Sequence, residues 1–320
     1  MPLRPRLVVV HRRSEFAELV ERHATVGQAE FYLRTRGRDL TQVRAAHEAA
    51  ARAKDLVVAA APADWAVAQV ERADLARFLF QREDRIVVVG QDGLVANAAK
   101  YLSDQLVIGV DPARGANPGV LVRHSPARGI ALMLAPEKAK VAELTMARAT
   151  LDDGQELTAL NDIYLGHASH QTARYDLAAP ADGNGRTDGG RTDGGPGEQS
   201  GRRPGRRPTR EAQASSGVVV GTGTGATGWC ASLAGDRGGR ALPGLTERRL
   251  AWFVREAWPS PTTGRTLTEG IIEPGAELTL TVRSDQLVVF GDGLEADRLT
   301  ALWGQDVRIG LAERRLRLAV

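Results

Sequence analysis

The chain has little of what would commit it to an oxidising or membrane setting. It has one cysteine, Cys230, in 320 residues, which excludes an intramolecular disulfide framework and fits a reducing compartment. No apolar run approaches the roughly 18 residues of a membrane span. The opening MPLRPRLVVVH also lacks the long apolar core and small-residue cleavage pattern of a signal peptide. Net charge is only +3, so bulk electrostatics imply neither a nucleic acid nor a membrane surface as partner. The expectation is a cytoplasmic protein. A hydrophobic content of 42% and a charged content of 25% are ordinary for a globular chain, and the length suits one large or two ordinary domains.

What is present changes character along the chain. The first part alternates apolar runs with helical periodicity. Leu7 to Val10 suit a strand buried on both faces, and Ser14 can cap a helix presenting Phe16, Leu19, Val20 and His23. Asp39 can cap an alanine-rich helix running toward Ala60, although Leu56 to Val58 would also fit a strand. Further βα units predict a mostly parallel sheet, the Rossmann-like α/β class. From about residue 141 short β-rich segments take over, with a turn at Asp152, Asp153 and Gly154, predicting a mostly antiparallel β domain, a β-sandwich. The expected division is an α/β domain over 1–125, a β-rich domain over 126–300, and a C-terminal segment over 301–320 packing back on the first domain. Residues 178–215, where GRTDGG occurs twice, are rich in Gly, Arg, Asp, Pro and Ser, and predict a disordered insertion. Its arginines are interspersed with Asp and Glu, so nucleic acid is not an expected partner.

The segment RIVVVGQDGLVANAAKYL (85–102) reads as strand, glycine turn and helix. That build points backbone N–H groups and a helix N-terminus at a phosphate. Asp92 sits in the turn, where an anion-binding loop least wants a carboxylate. It is either a turn former accepting local backbone hydrogen bonds or a group with a task in metal binding or proton transfer. Asn161-Asp162 heads a β segment, and such a pair can grip vicinal hydroxyls or simply end a strand. In GVVVGTGTGATGWCASL (217–233), Thr222, Thr224 and Thr227 alternate with glycines directly after a strand, unlike a plain linker. His167 and His170 read as polar loop residues and Cys230 as buried packing.

In this order the motifs resemble those of the NAD kinase family. GQDG stands for that family's GGDG, Asn161-Asp162 for its Asn-Glu pair, and TGTGATGW for its threonine–glycine motif, closest to the mitochondrial type. VIGVDPARGANPGVLV and FGDGLEAD resemble its loop after GGDG and its C-terminal DG segment. The resemblance implies an NAD kinase-like two-domain architecture. The implied reaction is phosphoryl transfer from ATP or polyphosphate to the adenosine ribose 2′-hydroxyl of NAD. It further implies Asp92 as the catalytic carboxylate, with Gly90, Gln91 and Gly93 binding phosphate. Asn161, Asp162, Thr222, Thr224, Gly225 and Thr227 would hold the dinucleotide. Mg²⁺ or another divalent cation is the implied cofactor, NAD and a nucleoside triphosphate the partners, and a homo-oligomer the assembly. Two departures stand out. If position 91 needs φ above zero, a glutamine there costs on the order of 1 kcal/mol. Leu94 replaces the usual hydroxyl residue. A kinase for a sugar, polyol or lipid acceptor, or a nucleotide-binding regulatory protein without turnover, therefore remain alternatives.

Overall fold

Apolar runs that continue without alternation mark the strands buried on both faces. The structure is a computed structural model that describes residues 5–113, 119–180 and 209–320. Its described residues divide into two units, Met1–Met146 with Glu313–Val320, and Ala147–Ala312.

In the first unit, β1 (Arg6–His11) is followed by α1 (Glu15–His23), α2 (Val26–Arg34), α3 (Leu40–Ala59) and β2 (Ala66–Glu71). A 3-10 turn, Arg72–Arg77, leads to β3 (Arg85–Val89), α4 (Asp92–Ala99), β4 (Leu106–Val110), α5 (Pro126–Leu134) and β5 (Val141–Leu151). The strands are parallel in the order β2-β1-β3-β4. Ser14 and Asp39 do cap α1 and α3, accepting from the N–H of Ala17 and Thr41. Leu56 to Val58 are the last turn of α3 rather than a strand, because Val57 packs with Leu7, Val9, Val87 and Val89. Leu19, Ala29, Leu33, Leu40 and Val43 bind the three N-terminal helices in a separate cluster.

The second unit holds β6 (Glu156–Ala159), β7 (Asp162–Gly166), β8 (Ala173–Ala179), β9 (Thr209–Ser215) and β10 (Val218–Gly221). Then come α6 (Trp229–Gly235), β11 (Leu250–Val254), β12 (Glu269–Ile272), β13 (Glu277–Val282), β14 (Gln286–Gly291), β15 (Leu294–Leu302) and β16 (Asp306–Ala319), whose last part, from Glu313, belongs to the first unit. One six-stranded antiparallel sheet runs β12-β11-β10-β7-β14-β15. The other strands pair antiparallel as β16-β13-β8-β9, with β5 on β6. Leu177, Leu278, Leu280, Val307 and Ile309 from the latter set share one core with Ile163, Leu165, Val220, Trp252 and Val289 from the six-stranded sheet.

Four boundaries differ from the expectation. The first unit continues past 125 because α5 contributes Leu132 and Met133 to the core of β1, β3 and β4. The C-terminal return to that unit is Glu313–Val320, shorter than 301–320, since β15 and the start of β16 complete second-unit sheets. The expected insertion also narrows at both ends. Ala178 and Ala179 finish β8, and Thr209–Ser215 form β9, whose partners supply the β order that its composition does not suggest. Both GRTDGG copies lie outside the described residues.

An ion pair with a buried carboxylate closes the start of the first sheet. Arg6 donates through Nε and Nη2 to the two oxygens of Asp84 at 2.8 and 2.7 Å, and Asp84 is 4% exposed. Arg6→Ala leaves that carboxylate buried with the N–H of Gln81 as its remaining described donor. The expected loss is about 3 kcal/mol in chemical denaturation, with Arg6→Lys also destabilised because it cannot make the two-pronged contact.

Candidate functional site

The first unit carries the glycine turn. β3 ends at Val89, and the N–H of Gly90 bonds to the carbonyl of Val110 at 3.0 Å. Gln91 is the N-cap of α4 with φ −116° and ψ 164°. The conditional strain at position 91 is therefore absent, since this is extended backbone that glutamine adopts freely. Leu94 is buried at 4% exposure, and a Cβ built on Gly90 would lie 3.1 Å from its Cδ2. In place of a hydroxyl, Leu94 seals the underside of the turn with packing. A Cβ on Gly93 would meet nothing within 4 Å, so space lies open at that face of the helix start.

Asp92 opens α4, where a negative charge is favoured by the helix dipole. Its carboxylate is also held from a loop 28 to 30 residues further on. Oδ2 accepts from the N–H of Val120 at 2.7 Å, and Oδ1 accepts from those of Leu121 and Val122 at 2.9 Å each. A Cβ on Gly119 would fall 2.7 Å from Oδ1, so only glycine lets this loop wrap so closely. The awkward charge is thus answered by backbone donors of a distant loop. An ionised carboxylate offers about four acceptor positions, and the second position on Oδ2 has no described backbone donor. The group can orient a hydroxyl without releasing the loop.

The second unit gathers most of the remaining candidates. Asn161 and Asp162 stand at the start of β7, beside Thr222 at the end of β10. The N–H of Thr222 donates to the carbonyl of Asn161 at 2.9 Å, and its Oγ1 donates to that of Leu160 at 2.5 Å. The same Oγ1 accepts from the N–H of Thr224 at 3.0 Å. Gly225 is required here, because a Cβ would lie 2.3 Å from the Asn161 carbonyl oxygen. Thr227 is exposed at the end of this turn, its hydroxyl donating to the carbonyl of Thr224 at 3.4 Å.

Two polar groups in this cluster have capacity to spare. The Thr224 hydroxyl is buried and has no hydrogen-bond partner among the described residues. The Asp162 carboxylate carries no side-chain hydrogen bond among them either, and burial pushes its pKa up to about 6. Asp162 pairs across the sheet with Gly221, over which the Cys230 sulfur lies so closely that a Cβ would be 2.2 Å from it. Burial first, and the Asp162 charge second, push the Cys230 thiol up to about 12, which suits an inert packing residue. Nearby, Tyr164 stacks on Trp229 at 5.7 Å, and the Arg255 guanidinium lies over the Trp229 ring.

Sequence reasoning missed Asp292 as a site residue. Its carboxylate accepts from the N–H of Leu160 at 2.9 Å and of Asn161 at 2.6 Å. The available signal was an Asp-Gly pair ending a strand. Among the described residues His167 has local bonds only, its Nδ1 accepting from the backbone and hydroxyl of Ser169. No cluster of three or more His, Cys, Asp or Glu suited to a metal occurs among the described residues. With Asp92 committed to three N–H donors, these residues make no protein cage for the expected Mg²⁺.

No protein-family model matches the chain, and a search of curated proteins finds no match either.

Two outcomes check this geometry. Gly119→Ala pushes the loop off Asp92, weakening hydrogen bonds to a charged acceptor, and should cost about 2 kcal/mol in denaturant unfolding. The raised pKa of Asp162 means that the folded protein keeps a proton the unfolded chain has released. Stability contributed by this group is full below its ordinary pKa of 3.8 and is lost as pH rises through about 6. From pH 5 to 7.5 the wild type should lose about 1 kcal/mol more stability than Asp162→Asn.

Proposed function

We propose that the protein is a phosphotransferase of the NAD kinase kind. It moves a phosphoryl group from ATP or polyphosphate to the 2′-hydroxyl of the adenosine ribose of NAD. The observation that carries this reading is the second-unit cluster, in which the Asp162 carboxylate and the buried Thr224 hydroxyl lack described partners. A ribose supplies what these groups want, hydroxyls that donate to the carboxylate and accept from the threonine. Asn161 adds an amide beside them. In the same proposal Asp92 is the catalytic carboxylate, its Oδ2 keeping an acceptor position with no described backbone donor. Gly90, Gln91 and Gly93 leave the start of α4 accessible to donor phosphates. The NAD kinase-like architecture, the β-sandwich description of the second unit, the homo-oligomer and the cytoplasmic setting belong to this proposal. Mg²⁺ or another divalent cation would balance the donor's charge.

A regulatory nucleotide-binding role is the second reading, favoured by the three backbone donors on Asp92 and by the buried Leu94. An assay with ATP or polyphosphate, Mg²⁺ and a panel of acceptors separates the two. NADP should form from NAD, and Asp92→Ala should lower the rate about a hundredfold or more. Product on a sugar, polyol or lipid alone would change the acceptor. NAD binding with no product on any acceptor would support the regulatory role.

The open space at Gly93 gives a sharper check. Gly93→Ala should fold with unchanged or slightly higher stability, because alanine favours a helix by roughly 1 kcal/mol. Its KM for the phosphate donor should nevertheless rise, since the new methyl group occupies space assigned to phosphate. An unchanged donor KM would remove Gly93 from the phosphate site.

A further inference from the structure

The Leu160–Asn161 segment is held with an unusual completeness. Both of its carbonyls are taken by Thr222, through its N–H and its hydroxyl. Both of its N–H groups are taken by one carboxylate, that of Asp292. The N–H of Asp292 then donates to the carbonyl of Asp162 at 3.0 Å, fixing the next residue from the same side. All four backbone polar groups of two adjoining residues thus have partners from two other strand ends.

Asp292 reaches this position from a hairpin turn. Gly291 pairs with Leu294 across β14 and β15, leaving Asp292 and Gly293 as the two loop residues, with φ of 56° and 64°. Two successive positive φ values are the type I′ pattern, for which Asp-Gly and Asn-Gly are the favoured pairs. The turn alone would accept either residue. A carboxylate differs from an amide in having two acceptor oxygens and no donor, and two N–H groups face it here. The side chain is therefore specified by the segment it holds rather than by the hairpin that presents it.

We infer that Asp292 is a positioning residue: its carboxylate fixes the backbone of Leu160 and Asn161 so that the Asn161 and Asp162 side chains meet the nucleoside hydroxyls. The inference rests on the proposed dinucleotide site, and it adds a residue that does not touch the substrate. It also gives the Asp-Gly turn a role beyond reversing the chain.

Asp292→Asn is the informative variant, because Asn-Gly preserves the turn while presenting an NH₂ to a backbone N–H. The full-length wild type and variant are compared by thermal unfolding, NAD calorimetry, steady-state kinetics and amide hydrogen exchange. The variant should still fold cooperatively, with its unfolding midpoint lowered by the lost charge-assisted bonds, and should keep its kcat within about twofold. Its KM and Kd for NAD should rise about tenfold, the size expected from losing hydrogen bonds to a charged group. Exchange should quicken at Leu160 and Asn161. Unchanged NAD affinity with unchanged exchange would overturn the inference. So would a lowered midpoint with kcat falling at constant KM, which marks a structural role alone. If the wild type binds no NAD, the dinucleotide reading and the positioning role toward it both fail. Exchange then still separates a real clamp on Leu160–Asn161 from none.

Discussion

A carboxylate that accepts backbone N–H groups from a segment far away in sequence is the joint on which both candidate regions depend. Asp92 holds Val120, Leu121 and Val122, and Asp292 holds Leu160 and Asn161. In each case the aspartate belongs to an Asp-Gly pair just past a strand, with Gly90 and Gln91 between the end of β3 and Asp92, and with Asp292 immediately after β14. Such a charge-assisted bond is stronger than a neutral one and directional enough to set a loop's path. Glycines are then needed on the opposite side, as at Gly119, or in the same cluster, as at Gly225. The glycine richness of the motifs follows from this close approach as much as from any ligand.

The strands were legible wherever burial on both faces removes alternation. Leu7 to Val10 and Ile86 to Val89 read as strands because nearly every position must be apolar, and the structure leaves these positions essentially unexposed. Caps were equally legible at Ser14 and Asp39, where the side chain acts on its own helix. What failed to show was order imposed from elsewhere. TREAQAS has no strand composition, yet it becomes β9 along the whole length of β8. α2 begins after Thr25 with Val26 and Gly27, a weak helical start that is stabilised through Ala29 and Leu33 in the cluster of α1 and α3.

The candidate site divided in the same way. Residue types and spacing pointed to Asp92, Asn161, Asp162 and the threonines, since those motifs are local. The bonding of Asp92 was not legible, because its donors lie 28 to 30 residues away and leave no local pattern. Nor was the conformation of Gln91, whose extended backbone depends on how β3 meets α4. Asp162 likewise owes its raised pKa to burial, a property that a sequence motif does not carry.

The last strand ties the order of synthesis to the order of assembly. Glu313–Val320 belongs to the first unit, where Arg317 and Leu318 lie parallel to Leu106 and Val107 along the outer edge of β4. Arg314 also grips the carbonyls of Lys100 and Leu102 just after α4. During translation the first 146 residues therefore emerge with one sheet edge bare, and they wait for some 166 further residues before it is covered. A sheet begun before residue 146 is thus finished only by a strand that follows the whole second unit. Ribosome-bound chains should consequently expose β4 to chaperones or to neighbouring nascent chains until residues near Leu318 leave the exit tunnel.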